Sequence, residues 1–243
     1  MTYCVGIAVN EGLVFVSDSR TNAGVDNVST YSKMRRYGVP GERQFVICTA
    51  GNLATTQGVI AQIERDMRDA AEVNLMNVTS VAEAASYVGA LNLEQQKKNT
   101  GGGPAFEASL LLGGEVSGAA CRLFRIYAEG NFIETSKQTP FLQIGESKYG
   151  KPILDRVLSE KTPLERAALC GLVSMDATMR SNLTVGPPIE VVTYTAGSLA
   201  PCRYVSYGED SLFLRNLKSN WNQEIKAAFD RLPPIDWADG DSE

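Results

Sequence analysis

Histidine is absent from the 243 residues, and no other feature of the chain removes as much chemistry. A Ser-His-Asp triad, a Cys-His dyad and every histidine metal site are excluded within it. Any hydrolytic general base must then be a lysine, a carboxylate or an amine. Cysteine is scarce as well. Cys4, Cys48, Cys121, Cys170 and Cys202 are widely spaced, odd in number and without a C-x-x-C pair. They read as reduced, buried thiols of a cytoplasmic protein rather than as a disulfide framework. No basic n-region precedes an apolar stretch at the start, so no signal peptide is expected. No apolar run approaches the length of a membrane helix, and no membrane association is expected. Positive charge is not in excess either: a net charge of −5 gives no support for nucleic-acid binding.

What is present is the composition of an ordinary globular chain, 44% hydrophobic and 21% charged. Its length suits one sizeable core, expected over residues 1–235, with 236–243 as a solvated acidic tail behind Pro233-Pro234. Apolar and β-branched residues predict strands at 3–9 and 13–17, joined by a turn at Asn10-Glu11-Gly12. A second pair is expected at 28–34 and 44–50. Asn52 can cap a helix over 53–69, and Ser80 can cap another, each with apolar residues at helical spacing. Gly101-Gly102-Gly103 has no following Gly-Lys-Ser/Thr and reads as a flexible connection. Strands at 106–112, 121–127 and near Phe132 come next, then helices at 149–158 and 163–179. Strands at 189–195 and 203–207 and a helix over 212–232 complete the chain. Blocks of strands alternating with pairs of helices imply an α+β fold with two stacked antiparallel sheets flanked by helices.

The chain opens Met1-Thr2-Tyr3-Cys4-Val5-Gly6. Removal of Met1 would leave Thr2 with a free α-amine beside its own hydroxyl, a nucleophile and a base in one residue. The hairpin carries Asp18 back toward Thr2, and Lys33 on the next strand can approach the same point. An ammonium beside the hydroxyl lowers the cost of the alkoxide, and the carboxylate orients the lysine. An α-amine with an ordinary pKa of about 7.7–8.0 can shuttle the proton. Each residue also has a plainer reading: Thr2 as a chain end, Asp18 as a turn residue, Lys33 as a solvated strand charge.

Thr2 followed by Asp18-Ser19-Arg20-Thr21-Asn22-Ala23-Gly24 resembles the N-terminus and Asp-Ser-Arg-x-x-x-Gly segment of proteasome β subunits. Lys33 matches the catalytic lysine of that family with one residue missing between. Ala50-Gly51-Asn52 resembles its Ala-Gly-Gly, which gives Gly51 the oxyanion role. The opening segment, Gly145-Glu146-Ser147-Lys148-Tyr149-Gly150-Lys151-Pro152 and Asp176-Ala177-Thr178-Met179-Arg180-Ser181-Asn182 are similar to the bacterial proteasome-related Anbu family. The resemblance covers nearly the whole chain. It implies a four-layer αββα N-terminal-nucleophile fold that self-assembles into a ring or open spiral.

Two departures from proteasome β subunits stand out. Glu146 occupies the serine slot of Gly-Ser-Gly, where it could bind the Thr2 α-ammonium or simply act as a helix N-terminal carboxylate. Met179 stands where a serine would support the amine. Asp176 matches the amine-supporting aspartate, and Ser147 and Ser181 are spare hydroxyls. The resemblance also implies that a peptide pairs with Thr21-Asn22 and the Gly51 segment, with Arg20, Thr21, Thr49 and Leu53 around its side chain. The expected activity is threonine-type peptide hydrolysis on peptide or unfolded protein, without metal or cofactor. Any unfoldase partner is left open. A proteasome-fold scaffold and a small-molecule amidase are the rival readings.

Overall fold

A computed structural model describes residues 2–22, 28–98 and 106–235. Strands β1 (Tyr3–Val9) and β2 (Gly12–Asp18) form the expected hairpin, with Cys4 opposite Ser17 and Val9 opposite Gly12. They are the centre of a sheet whose order is β10 (Phe141–Gly145), β1, β2, β11 (Ile189–Thr195), β12 (Arg203–Tyr207). A short pair, β3 (Arg20–Asn22) and β4 (Val28–Thr30), stands apart. The second five-stranded sheet runs in chain order: β5 (Met34–Val39), β6 (Arg43–Gly51), β7 (Ala108–Val116), β8 (Arg122–Ile126) and β9 (Phe132–Glu134).

The alternation of the strands fills two different spaces. Phe15, Leu13 and Val192 of one sheet meet Val46, Cys48, Leu111 and Leu123 of the other in a shared core. The opposite face of the second sheet, with Phe45, Ile47, Leu110 and Leu112, packs under α1 (Leu53–Arg68) and α2 (Val81–Lys98). Val59, Ile60 and Ile63 of α1 and Ala84, Ala85 and Val88 of α2 supply the helical side of that core. A large side chain buried in this way contributes about 1.5–3 kcal/mol. Helix α4 (Leu164–Ser181) lies on the other side, against β1 and β2, with α3 (Lys151–Val157) beside it. The result is the expected αββα layering.

Capping explains the helix starts. Asn52 accepts the Thr55 N–H at 3.0 Å, and Ser80 accepts the Glu83 N–H at 3.2 Å. Helix α4 departs from expectation: Pro163 is its cap position rather than its first residue. Its Leu164 N–H donates to the Glu11 carboxylate at 2.8 Å, so the turn of the first hairpin supplies the anion at this helix start.

One expected strand is corrected and two strands are added. The strand expected over 28–34 is broken: β4 ends at Thr30, β5 begins at Met34, and 31–33 belong to neither. Strands β3 and β10 were not expected at all. Residues 99–105, with their glycine run, and the tail 236–243 lie outside the described residues.

The chain divides into two compact units, Met1–Glu209 and Asp210–Glu243. The first holds both sheets and α1–α4. The second holds α5 (Leu212–Asp230), begun by Ser211, whose hydroxyl accepts the Leu214 N–H at 3.3 Å. No residue of α5 is buried, although its sequence is amphipathic. No helix among the described residues is long and apolar enough to cross a membrane.

Candidate active site

The start of β1 is pinned from both sides. The Thr2 carbonyl accepts the Glu146 N–H at 2.7 Å, and the Tyr3 N–H donates to Oδ1 of Asp18 at 3.0 Å. The Tyr3 hydroxyl is tied to Ser174 of α4 and accepts from Gln143 of β10 at 2.8 Å. Desolvation raises its pKa above the ordinary tyrosine range, so it stays protonated. Gly145 has to be glycine: with φ +78°, a Cβ there would sit 2.0 Å from the Thr2 carbonyl oxygen. Thr2 is therefore presented at a fixed point between β10 and β2.

Asp18 ends β2 beside that point and is fully buried. Lys33 Nζ donates to its Oδ1 at 2.8 Å and to the Arg20 carbonyl at 2.7 Å. Two of the three ammonium donors are thereby engaged. The Gly186 N–H approaches Oδ2 at 3.5 Å. Desolvation pushes the Asp18 carboxyl above the usual aspartate range, while the Lys33 charge and the Tyr3 N–H pull it back down. Lys33 is itself 7% exposed, so the two charges form a buried pair whose members depend on each other.

A cavity of about 370 Å³ opens over this pair. Thr2, Lys33 and Gly51 all border it, and so do Arg20, Thr21, Thr49 and Leu53 of the expected substrate wall. Tyr31, Ala50, Thr56 and Gly145 complete the lining. Thr21 Oγ1 is buried without a hydrogen-bond partner, the state of a hydroxyl that a bound polar group would satisfy. Asn22 pairs with Val28 in the β3–β4 ladder. Gly51 turns from β6 toward α1 with φ +108°, and a Cβ would lie 2.3 Å from the Glu107 carbonyl oxygen. No other residue fits that turn.

The supporting residues are not on this cavity wall. Glu146 is half-buried, and its side chain accepts the Lys148 N–H at 3.1 Å, a local turn contact. Ser147 is half-buried beside it, and Ser181 is exposed at the end of α4. Asp176 is buried within α4. Among the thiols, burial pushes Cys48 and Cys202 up, Cys121 up to about 12 and Cys170 up to about 11. None of these four is a thiolate at neutral pH.

Sequence reasoning missed Tyr3, Ser174, Gln143 and Glu190. Glu190 is 5% exposed on β11 and accepts hydrogen bonds from Ser19, Ser32 and Tyr204. Its partners on the active-site side are about 160 positions away in sequence. No local spacing announces such a contact.

A model of the proteasome subunit family matches residues 2–194. The class of the protein is therefore that of a proteasome subunit, with the two antiparallel sheets and helix layers described above. Three solved structures are similar over almost their whole length. Anbu from Yersinia bercovieri is 46% identical with a TM-score of 0.92, covering 97% of this chain and 100% of its own. The helical assembly of the Anbu complex from Pseudomonas aeruginosa is 42% identical with a TM-score of 0.93, covering 98% and 100%. Anbu from Hyphomicrobium sp. strain MC1 is 41% identical with a TM-score of 0.90, covering 97% and 100%. Comparison with curated protein sequences returns no match. The chain belongs to the Anbu family of proteasome-related proteins.

Proposed function

We propose that this protein is a threonine-type amide hydrolase, acting on peptides as a homo-oligomer after loss of Met1. The observation that carries the reading is the buried Lys33–Asp18 pair at 2.8 Å, beside Thr2 on a cavity also bordered by Gly51. An ion pair removed from water stabilises little by itself and is costly to bury. A chemical role gives it a reason to be there.

The reaction follows from the residues. The third Lys33 donor is left to stabilise the developing Thr2 alkoxide, since both residues border the same cavity. The free α-amine takes the hydroxyl proton as Oγ1 attacks the substrate carbonyl carbon. The Gly51 N–H holds the resulting oxyanion, a contribution of about 2.7–4 kcal/mol. Collapse breaks the C–N bond, and the α-ammonium returns the proton to the leaving amine. Water then attacks the ester, the amine again takes a proton, and the acid is released.

The related protein from Pseudomonas aeruginosa is described as a helical assembly, which supports an assembled state here. The five free cysteines suit a reducing, cytoplasmic compartment. Treatment of purified protein with a peptide epoxyketone, followed by intact mass, tests the reading. Such a reagent needs both the hydroxyl and the free amine. Covalent modification at Thr2 is expected. Mature, assembled protein that never reacts would instead support a scaffold with the proteasome fold, the second reading, which Met179 and the local engagement of Glu146 favour.

A further inference from the structure

Lys33 is the central cation of the proposed reaction, yet it belongs to no strand. Residues 31–33 link β4 to β5 without ladder pairing of their own. The backbone anchors there are the Thr49 N–H donating to the Lys33 carbonyl at 2.9 Å and the Tyr31 N–H donating to the Ser19 carbonyl at 2.8 Å. A side chain must therefore supply much of the lateral placement. Glu190 does so from the other sheet. Its Oε2 accepts the Ser19 hydroxyl at 2.9 Å, and Ser19 follows Asp18. Its Oε1 accepts the Ser32 hydroxyl at 2.9 Å, the Met34 carbonyl at 3.0 Å being the alternative acceptor for that one proton, and Ser32 precedes Lys33. The Tyr204 hydroxyl donates to Oε1 at 2.8 Å from β12, and Arg36 stacks over that ring at 4.0 Å.

We infer that Glu190 is a positioning residue, whose carboxylate holds the residue after Asp18 and the residue before Lys33 at one fixed separation. The inference rests on the threonine-hydrolase reading. One rigid carboxylate with an oxygen on each segment sets the distance between them, and the Lys33–Asp18 bond is the consequence. Glu190 bonds to Ser19, Ser32 and Tyr204 and does not border the substrate cavity, so it acts through the pair rather than on the substrate. Around it stand Ser19, Ser32, Tyr204, the Arg36 charge beyond that ring and the Cys48 thiol of β6. Asp18, the group whose titration reports the effect, is faced by Lys33 and the N–H groups of Tyr3 and Gly186.

The test is the rate of epoxyketone labelling against pH in assembled protein. Glu190→Ala should slow labelling by about 100-fold, the usual consequence of a displacement near 1 Å in a catalytic group. Glu190→Gln, which keeps the shape and one acceptor oxygen, should recover about tenfold of that loss. A lower acid limb, distinct from the one set by protonation of the Thr2 α-amine, should also move to higher pH in Glu190→Ala, because Asp18 loses part of the Lys33 field that holds its pKa down. A merely structural role would leave that limb in place. If Glu190→Ala does not fold, the Ser19→Ala/Ser32→Ala double variant removes the same tethers and should show the same shift. Folded variants that label at the wild-type rate with an unmoved acid limb would overturn the inference. A wild type that never labels would fail the hydrolase reading instead. In that case the Lys33 Nζ to Asp18 Oδ1 distance in a crystal structure of the variant decides. Opening beyond hydrogen-bond range supports the tether, and a distance still near 2.8 Å ends it.

Discussion

Lys33 Nζ lies 2.8 Å from Oδ1 of Asp18, and the same oxygen accepts the backbone N–H of Tyr3, the residue next to Thr2. One carboxylate oxygen thus ties the lysine to the start of the chain. If the pair serves chemistry, Lys33→Ala should abolish Thr2 labelling by an epoxyketone while the protein still assembles. Lys33→Arg should fail too, since a guanidinium keeps the charge but has a different shape from the ammonium the site holds. Removing one partner leaves the other buried and alone, at a cost of about 3–5 kcal/mol. Chemical denaturation must therefore accompany the labelling assay. A folded Lys33→Ala protein that reacts as fast as wild type would remove the lysine from the mechanism.

The Asp18 carboxyl gives the pH dependence a direction. Burial raises its pKa above the ordinary 3.8, so it takes up a proton at a higher pH than a solvated aspartate. The Lys33 pairing is then lost, so below the limb set by protonation of the Thr2 α-amine labelling should fall again, on a second acid limb lying above pH 3.8. The stability sign is opposite. For an acid whose folded pKa is raised, the folded state binds more protons between the unfolded and folded values. Asp18's own contribution therefore favours the fold at the acid end and declines as pH rises through that window. Loss of activity on the acid limb should precede unfolding, which parallel circular dichroism will show. Coincident loss of structure and labelling would contradict this assignment.

The first hairpin was legible because β-branched residues alternate around Asn10-Glu11-Gly12, and helix α1 because Asn52 precedes apolar residues at helical spacing. Thr2, Asp18, Lys33 and Gly51 were picked out by motif; Thr2, Lys33 and Gly51 border one cavity, and Asp18 is hydrogen-bonded to Lys33. Strand β10 escaped notice because five residues carry little periodic signal and its partner is β1, some 140 positions earlier. The break at 31–33 escaped for another reason. Apolar and β-branched residues on either side read as one strand, while the Lys33 carbonyl accepts from Thr49 and the Ser32 hydroxyl is turned to Glu190. Tertiary hydrogen bonds override local propensity there.

Gly51 offers a test of backbone geometry. Gly51→Ala forces a Cβ to within 2.3 Å of the Glu107 carbonyl oxygen at a φ of +108°. Strain of this kind costs about 1–3 kcal/mol, and relieving it would turn the peptide away from the cavity. Both the urea midpoint and the labelling rate should fall. An alanine variant with unchanged stability and rate would show that the turn does not hold the oxyanion donor.

Loss of Met1 is a precondition for the α-amine base. Intact mass of the purified protein should be one methionine lighter than the encoded chain. Active protein that fully retains an unacetylated Met1 would rule out the amine as the proton shuttle.

Assembly should reside partly in the second unit. Helix α5 buries none of its residues; Ile225 and Phe229, one turn apart near its end, and Leu232 just beyond it are 48%, 72% and 63% exposed. Exposed apolar side chains grouped in this way are unfavourable in water and point to a contact surface. The related protein described as a helical assembly points to a second copy of the chain as the occupant, as expected for repeated, self-complementary contacts. Phe229→Glu places a charge among these side chains. It should lower the mass seen by light scattering coupled to size exclusion, with the circular dichroism of the protein unchanged. Epoxyketone labelling of the dissociated protein then shows whether the site needs its neighbours. A wild type that is monomeric at micromolar concentration, or a Phe229→Glu protein of unchanged mass, would take these side chains out of the assembly.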